Sequence, residues 1–129
     1  MTRVVAGILE QNGKILICQR TASQPHPLKW EFPGGKIEGE ETPEAALARE
    51  LREELAVECS VGRELRRYEF SYPGKKPIEL IFLEARQTAG TLTNLIFEQI
   101  LWCDPEKMTG YDFLEGDTPF LEWFIAQNQ

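Results

Sequence analysis

Three glutamates on a predicted helix constrain this chain more than any other feature of its sequence. Thr42 can cap the free N–H groups of that helix, and Pro43 suits its first position, where no donor is needed. Further along, Glu50, Glu53 and Glu54 stand at i, i+3 and i+4, so their carboxylates share one face. Like charges at this spacing destabilise an isolated helix by roughly 0.2–0.5 kcal/mol per pair. The pattern therefore indicates that this face meets a cation.

A solvated surface helix is the alternative interpretation, because Arg49 and Glu53 at i, i+4 can form an ordinary surface ion pair. Two observations argue against it. The glycine pair Gly34-Gly35 precedes the helix by a short acidic loop, and glycines let the backbone approach a ligand closely. A separate apolar stripe at i+4 intervals supplies the core-facing side of the helix: Leu47, Leu51 and Leu55. The glutamates are thus not needed for packing.

The order of residues in this segment resembles the signature of the Nudix hydrolases, G-x5-E-x7-R-E-U-x-E-E-x-G-U, where U is a bulky aliphatic residue. The departure is Ala56, which stands where the family has glycine. That glycine closes the helix in a left-handed conformation, which costs alanine roughly 1–2 kcal/mol. Because the position ends a helix and holds no ligand, the departure affects local geometry more than chemistry. The matching positions are Gly35, Glu41, Arg49, Glu50, Leu51, Glu53, Glu54 and Val57.

The similarity extends over essentially the whole chain and is greatest to MutT-like members, the 8-oxo-dGTP diphosphatases. The run WEFPGGK, residues 30–36, resembles the run that precedes the signature in those proteins. Arg20, Glu98 and the triplet Asp117-Thr118-Pro119 follow in MutT-like order. The resemblance implies an α/β (α+β) fold, a Nudix-type α/β/α sandwich with a mixed β-sheet. It also implies a single Nudix domain over residues 1–129.

The resemblance implies a Mg²⁺ site, with Mn²⁺ as an alternative, and hard cations of this kind take oxygen ligands. Glu54 and Glu50 are the expected principal ligands, within a metal-binding set of Gly34, Gly35, Glu50, Glu53, Glu54 and Glu98. The expected catalytic residues are Glu50, Glu53, Glu98 and Arg49. The general base is left open between Glu50 and Glu98, since either carboxylate could take a proton from metal-bound water. Arg49 is expected to orient a glutamate, such as Glu41.

The expected substrate-binding residues follow the same resemblance. Asp117 stands where MutT-like members carry an asparagine that reads oxidised guanine. Asparagine both donates and accepts hydrogen bonds, whereas ionised aspartate only accepts. Both 8-oxo-dGTP and a pyrimidine triphosphate such as CTP or oxidised dCTP therefore stay open as substrates. The expected substrate-binding residues are Arg20, Glu31, Phe32, Pro33, Gly34 and Asp117.

The implied activity is hydrolysis of a (d)NTP, with an oxidised one such as 8-oxo-dGTP preferred, to a nucleoside monophosphate and pyrophosphate. The role would be nucleotide-pool sanitation, a form of DNA repair. An ADP-ribose hydrolase is a less favoured alternative, because Pro73 falls about sixteen residues past the signature but already fits a Pro-Gly turn. A nucleotide-sensing Nudix module without turnover is the non-enzyme alternative. Such modules typically lose signature glutamates, which this chain keeps.

Charge and hydropathy limit the partners. The net charge of −7 argues against nucleic acid polymers, which need a basic surface. Residues 36–58 alone hold eight glutamates against three basic residues, so a polyanionic nucleotide would need a bridging metal. No apolar run approaches the ~20 residues of a membrane span. Three widely spaced cysteines indicate reduced thiols and a cytoplasmic protein. The expected ligand is a small nucleotide, and the protein is expected to be a monomer or homodimer.

The remaining elements are predicted from periodicity and turn residues. Asn12-Gly13 predicts a hairpin between strands at 4–10 and 14–20. A polar loop over 21–29 follows, and further strands are predicted at 60–70, 78–85 and 95–103. Asp117 is expected to cap a terminal helix. The buried side of that helix is predicted to be Phe120, Leu121, Trp123, Phe124 and Ile125.

Overall fold

The computed structural model describes residues 1–128, and Gln129, the last residue of the predicted domain, lies outside the described residues. Seven strands and two α-helices form the fold, and two 3-10 turns (Pro105–Gly110 and Glu115–Asp117) precede the second helix. The helices are α1 (Pro43–Leu55) and α2 (Thr118–Gln127). The strands are β1 (Thr2–Gln11), β2 (Lys14–Gln19), β3 (Trp30–Glu31), β4 (Gly34–Lys36), β5 (Val57–Phe70), β6 (Ile78–Gly90) and β7 (Gln99–Cys103).

The strands form one mixed sheet, as predicted. The main order is β3-β2-β1-β6-β5, while β4 pairs with β1 and β7 pairs with β2. β1 and β6 run parallel, in a register that extends from Thr2 opposite Ile78 to Leu9 opposite Ala85. All other pairs of strands are antiparallel. β1 therefore lies in the middle of the sheet. Its antiparallel pairing with β4 places the two glycines of β4 beside it.

Each face of the sheet carries one apolar cluster and one helix, which confirms the α/β/α arrangement. The α1 face contains the predicted stripe, and Leu47, Leu51 and Leu55 are fully buried. The α2 face is built around stacked Phe82 and Phe120, whose ring centroids lie 4.2 Å apart. Burial of a large apolar side chain stabilises a fold by roughly 1.5–3 kcal/mol, so these two clusters hold the three layers together.

The predicted turns and caps are present. Asn12 and Gly13 have φ values of 54° and 78° at the β1–β2 hairpin. The Thr42 Oγ1 accepts from the Ala45 N–H at 3.1 Å and caps α1. Ala56 ends that helix with φ 59° and ψ 33°, the left-handed conformation that the family's glycine adopts without strain.

The predicted strand at 95–103 is wrong in its first half, because β7 begins only at Gln99. The cause is Asn94, whose side-chain oxygen accepts from the Phe97 N–H at 2.8 Å and whose amide donates to the Phe97 carbonyl at 2.9 Å. These bonds close a local turn that competes with strand pairing. Strands β3 and β4 were not predicted, since two or three residues are too few to show a period.

Asp117 occupies the predicted N-cap position of α2, but not as the prediction of a cap implies. Its side chain makes no capping hydrogen bond, and it is buried instead at the end of a 3-10 turn that precedes α2. Of the predicted buried side of α2, only Phe120 and Leu121 are fully buried. The other three residues are partly buried and pack at the edge of the α2-face cluster: Trp123, Phe124 and Ile125.

All three cysteines are free, as predicted, and Cys18 and Cys103 are buried in the core. In the part of the chain that the structure describes, neither helix is long and apolar enough to cross a bilayer.

Candidate active site

The loop side of β4 and the C-terminal half of α1 meet at a pair of glycines. The Gly34 N–H donates to the Glu54 carboxylate at 3.2 Å. A Cβ on Gly35 would lie 2.6 Å from the carboxyl carbon of Glu50, and a Cβ on Gly34 would collide with the Val5 carbonyl. Gly34 therefore requires glycine, whereas a side chain at Gly35 would displace the Glu50 carboxyl. The close approach brings two carboxyl groups against the backbone of β4.

Glu54 is only 8% exposed, and it lies beside Glu50. Burial raises the pKa of Glu54 well above its usual range, and the hydrogen bond and negative charge of Glu50 raise it further, as does the charge of Glu31. Within residues 1–128, no lysine or arginine forms an ion pair with Glu54. A buried carboxylate pair of this kind is costly unless a cation or proton compensates it.

Arg49 joins the acidic loop to the helix. Its guanidinium contacts both oxygens of Glu41, from Nε at 2.7 Å and from Nη2 at 3.0 Å, and donates to the Lys36 carbonyl at 3.1 Å. Its Nη1 donates to Glu50 at 3.0 Å and to Glu53 at 3.1 Å. The hydrogen bond from Arg49 holds the pKa of Glu41 at about 2, so that carboxylate stays charged. The geometry is that of an orienting residue, as the sequence indicates.

Glu53 shares the Arg49 guanidinium with Glu50, and Glu98 follows a turn whose Leu95 N–H donates to the Glu54 carbonyl at 3.1 Å. The Glu53 side chain is 57% exposed and held by Arg49. Glu98 lies in the exposed turn before β7, where its backbone N–H donates to the Gln19 carbonyl at 2.8 Å. Among residues 1–128, no group of three or more acidic, histidine or cysteine side chains is placed to hold a metal. The metal and catalytic roles of Glu53 and Glu98 stay predictions.

Mg²⁺ is usually held by one or two carboxylates together with water and substrate phosphate. Glu50 and Glu54 are such a pair, with oxygen atoms as their only side-chain donors. A hard cation would compensate the negative charge of these two adjacent carboxylates. The pair therefore fits Mg²⁺ without a third carboxylate ligand.

Arg20 and Glu31 form an ion pair next to this cluster. The Arg20 Nη1 lies 3.1 and 3.2 Å from the two Glu31 oxygens, and its Nε donates to the Pro25 carbonyl at 2.8 Å. Burial raises the pKa of Glu31, while the charge and hydrogen bond of Arg20 oppose the rise. The guanidinium of Arg20 is therefore already bonded to Glu31 and Pro25 within the protein. Its contact with substrate stays a prediction.

Asp117 is 6% exposed and lies close to this ion pair. Burial raises its pKa to about 8, and the negative charge of Glu31 adds to the rise. A hydrogen bond from the Phe32 backbone and the charge of Arg20 act in the opposite direction. At neutral pH the carboxyl is thus mostly protonated, and it can donate as well as accept.

Phe32 and Pro33 are both buried rather than exposed at the site surface. The Phe32 ring is 3% exposed and packs against Phe113 and Phe120, with centroids 5.3 and 5.6 Å apart. The Pro33 carbonyl accepts from the Gly7 N–H at 2.7 Å. Both residues support the loop from the core, and their direct contact with a ligand stays a prediction.

Sequence reasoning missed two tyrosines beside Asp117. The Tyr68 hydroxyl donates to the Gly116 carbonyl at 2.7 Å, and the Tyr72 hydroxyl accepts from the Gly116 N–H at 3.1 Å. These contacts join residues more than forty positions apart, so no local pattern could reveal them.

A cavity of about 760 Å³ lies elsewhere, on the α2 side of the sheet. Its lining includes Glu10, Arg63 and Trp123 but no residue of the predicted site. The carboxylate pair lies instead at the junction of loop and helix.

Comparison with known proteins identifies the family that this chain resembles. The sequence model of the NUDIX domain matches residues 1–124. The CTP pyrophosphohydrolase of Escherichia coli (strain K12) is 40% identical over 129 aligned residues, covering 98% of this chain and 93% of that protein. The 8-oxo-dGTP diphosphatase of Haemophilus influenzae is 42% identical over 74 residues, covering 57% of this chain and 54% of that protein.

Solved structures match over nearly the whole chain. The solution structure of the E. coli ORF135 protein superposes with a TM-score of 0.87 at 39% identity, covering 99% of this chain and 91% of that one. A MutT protein from Methanosarcina mazei gives a TM-score of 0.86 at 21% identity, covering 99% of this chain and 95% of that one. The second likeness concerns the fold alone.

Proposed function

The chain belongs to the NUDIX domain family as a pyrophosphohydrolase acting on nucleotides, and from this we propose that it is a Mg²⁺-dependent nucleoside triphosphate pyrophosphohydrolase. Its products are a nucleoside monophosphate and pyrophosphate. The proposed setting is nucleotide-pool sanitation in the cytoplasm, by a monomer or homodimer.

The observation that carries the proposal is the Glu50–Glu54 pair packed against Gly34 and Gly35. When bound there, Mg²⁺ supplies neutralising charge for the phosphates and lowers the pKa of water. Glu50 and Glu54 would hold the ion, and Arg49 keeps the Glu50 carboxylate in place from the side. Glu50 is our first choice as general base, because it would lie next to water bound to an ion that it holds with Glu54, and Glu98 is the alternative.

Two substrate classes each have a specific observation in their favour. The relative that aligns over 98% of this chain is named a CTP pyrophosphohydrolase. The Asp117 carboxyl can accept from the cytosine amino group through its carbonyl oxygen when neutral, and more strongly when ligand binding leaves it ionised. The second class is oxidised guanine in 8-oxo-dGTP, as in the diphosphatases that match about half of this chain. It is supported by the raised pKa of Asp117, since a neutral carboxyl resembles asparagine in donating and accepting.

An ADP-ribose hydrolase and a nucleotide-sensing module without turnover both have less support. Pro73 and Gly74 form a turn in which the Lys75 N–H donates to the Tyr72 carbonyl at 2.9 Å and Gly74 has φ 75°. That turn explains the proline without an ADP-ribose site. A sensing module without turnover typically loses signature glutamates, whereas this chain keeps Glu50, Glu53 and Glu54.

The experiment is a substrate panel with Mg²⁺: unmodified and oxidised (d)NTPs, ADP-ribose and dinucleoside polyphosphates, scored by kcat/KM with product identification. We expect a nucleoside triphosphate to give the highest kcat/KM and to yield monophosphate and pyrophosphate. Preference for ADP-ribose, release of inorganic phosphate as the first product, or nucleotide binding without turnover would contradict the proposal.

A further inference from the structure

Two tyrosine hydroxyls hold the turn that carries Asp117. Tyr68 donates to the Gly116 carbonyl at 2.7 Å and accepts from the Phe120 N–H at 3.1 Å. Tyr72 accepts from the Gly116 N–H at 3.1 Å, and a Cβ on Gly116 would lie 2.7 Å from the Tyr72 oxygen. The two tyrosines therefore hold both backbone polar groups of Gly116, the central residue of the turn.

The two hydroxyls differ in whether their proton already forms a hydrogen bond within the protein. A tyrosine hydroxyl can donate one hydrogen bond while it accepts others. Tyr68 uses its proton on Gly116 and accepts from Phe120, so it is satisfied within the protein. Tyr72 only accepts, and within residues 1–128 no protein acceptor takes its proton. The half-buried Tyr72 thus presents one unused donor.

The unused donor lies in the region of the expected nucleotide site. Burial raises the pKa of Tyr72, and the negative charges of Asp117 and Glu31 raise it further, while Arg20 acts in the opposite direction. These three side chains are all predicted to bind substrate. The hydroxyl therefore keeps its proton at neutral pH and lies within the electrostatic reach of the site.

The ring of Tyr72 is held on two further sides. His26, from the loop between β2 and β3, packs against it with centroids 4.7 Å apart and planes tilted by 40°. Phe70 meets it edge-on at 4.9 Å. Contacts of this kind fix the direction of a donor before a ligand arrives, which is what selective hydrogen bonding requires.

We propose that Tyr72 is a specificity-determining residue whose hydroxyl donates to a carbonyl oxygen or ring nitrogen of the nucleobase bound beside Asp117. This inference rests on the proposed function, because it takes the substrate to be a nucleoside triphosphate whose base lies at Asp117. It assigns Tyr68 a different task, which is to hold the turn without touching substrate.

The test compares Tyr72→Phe with the matched variant Tyr68→Phe, using the best triphosphate of the panel and a base-free ribose 5-triphosphate. For Tyr72→Phe we expect KM for the nucleotide to rise about 5- to 20-fold with kcat within about twofold, the range of one lost hydrogen bond. The base-free triphosphate should show no difference between wild type and Tyr72→Phe. Tyr68→Phe should lower Tm at least as much as Tyr72→Phe does, and it should raise KM for the nucleotide less than Tyr72→Phe does.

Three results would overturn the inference while leaving the proposed function intact. They are an unchanged KM in Tyr72→Phe, an equal loss on the base-free triphosphate, and an equal rise of KM in Tyr68→Phe. A wild-type protein that hydrolyses no triphosphate would refute the proposed function, and the inference with it.

Discussion

Gly35 and Glu50 approach so closely that a Cβ on the glycine would lie 2.6 Å from the carboxyl carbon of the glutamate. The contact joins β4 to α1 at the centre of the candidate site. A carboxylate at the far end of a flexible side chain can move aside, so an added methyl group would displace it without unfolding the protein.

Gly35→Ala is therefore expected to lower kcat/KM by about 10- to 100-fold, since displacement of a reacting group by about 1 Å costs rate on this scale. The free energy of unfolding should change by less than about 1 kcal/mol, because Gly35 does not have a positive φ. Gly62→Ala is the control, as its nearest contact would be an ordinary 3.4 Å to Glu84. Steady-state kinetics and urea denaturation of both variants measure the difference, and full activity in Gly35→Ala would contradict it.

Asp117→Asn is expected to keep or raise kcat/KM on 8-oxo-dGTP and to lower any activity on CTP. 8-Oxoguanine presents N7–H as a donor and O6 as an acceptor, and asparagine can pair with both. A bound cytosine is expected to favour the ionised form of Asp117, because a charged acceptor bonds its amino group more strongly, and asparagine cannot supply that charge. Parallel kcat/KM measurements on the two substrates decide the matter. If both change by the same factor, Asp117 does not read the base.

The same variant tests the burial of Asp117 through stability. Its pKa is raised from 3.8 to about 8, so the folded state binds its proton more tightly than the unfolded state. This contribution is fully present below pH ~4 and is lost as pH rises through about 8. Between pH 5 and 8.5, we expect the wild type to lose on the order of a few kcal/mol relative to Asp117→Asn.

Urea denaturation without metal at several pH values measures that difference, because the charges of Glu31, Arg20, Tyr68 and Tyr72 are common to both proteins. A difference in unfolding free energy that does not vary with pH would show that Asp117 is not a buried neutral carboxyl.

Ala56→Gly is expected to stabilise the protein by about 0.5–1 kcal/mol. Ala56 has φ 59°, and glycine relieves the strain of that conformation at some cost in unfolded-state entropy. Ala45→Gly, at an exposed position inside α1, should destabilise by about 0.5–1 kcal/mol. Urea denaturation of the two variants should therefore give shifts of opposite sign, and destabilisation by Ala56→Gly would contradict the assignment of strain.

Local features of this fold could be predicted from the sequence because their causes are local. The Thr42 cap, the Leu47 stripe and the Asn12-Gly13 hairpin each depend on residues within a few positions of one another. Asn94 shows the limit of such prediction. Two hydrogen bonds from its side chain to the Phe97 backbone form a turn where the sequence predicts a strand. A β-rich composition does not reveal that competition.

The candidate site could be predicted only where its residues lie together in the chain. Glu50, Glu54 and the Gly34-Gly35 pair belong to one signature, and the structure brings them into contact. Asp117 was predicted both as a helix cap and as a substrate-binding residue. Its burial near Glu31 and the Phe32 backbone, more than eighty residues away, could not be predicted from local sequence. Separation in sequence also explains why the tyrosines that hold its turn were missed, since both lie more than forty positions from Gly116.

The central claim is that Glu50 and Glu54 support Mg²⁺-dependent hydrolysis of a nucleoside triphosphate. The most direct test is kcat of Glu54→Gln with Mg²⁺, beside that of Glu58→Gln. The Glu58 side chain is exposed and, within residues 1–128, forms an ion pair with Arg52 alone. We predict a loss of at least ~10²-fold for Glu54→Gln at unchanged or higher Tm, and activity near that of wild type for Glu58→Gln. A folded Glu54→Gln protein with near wild-type turnover would contradict the account.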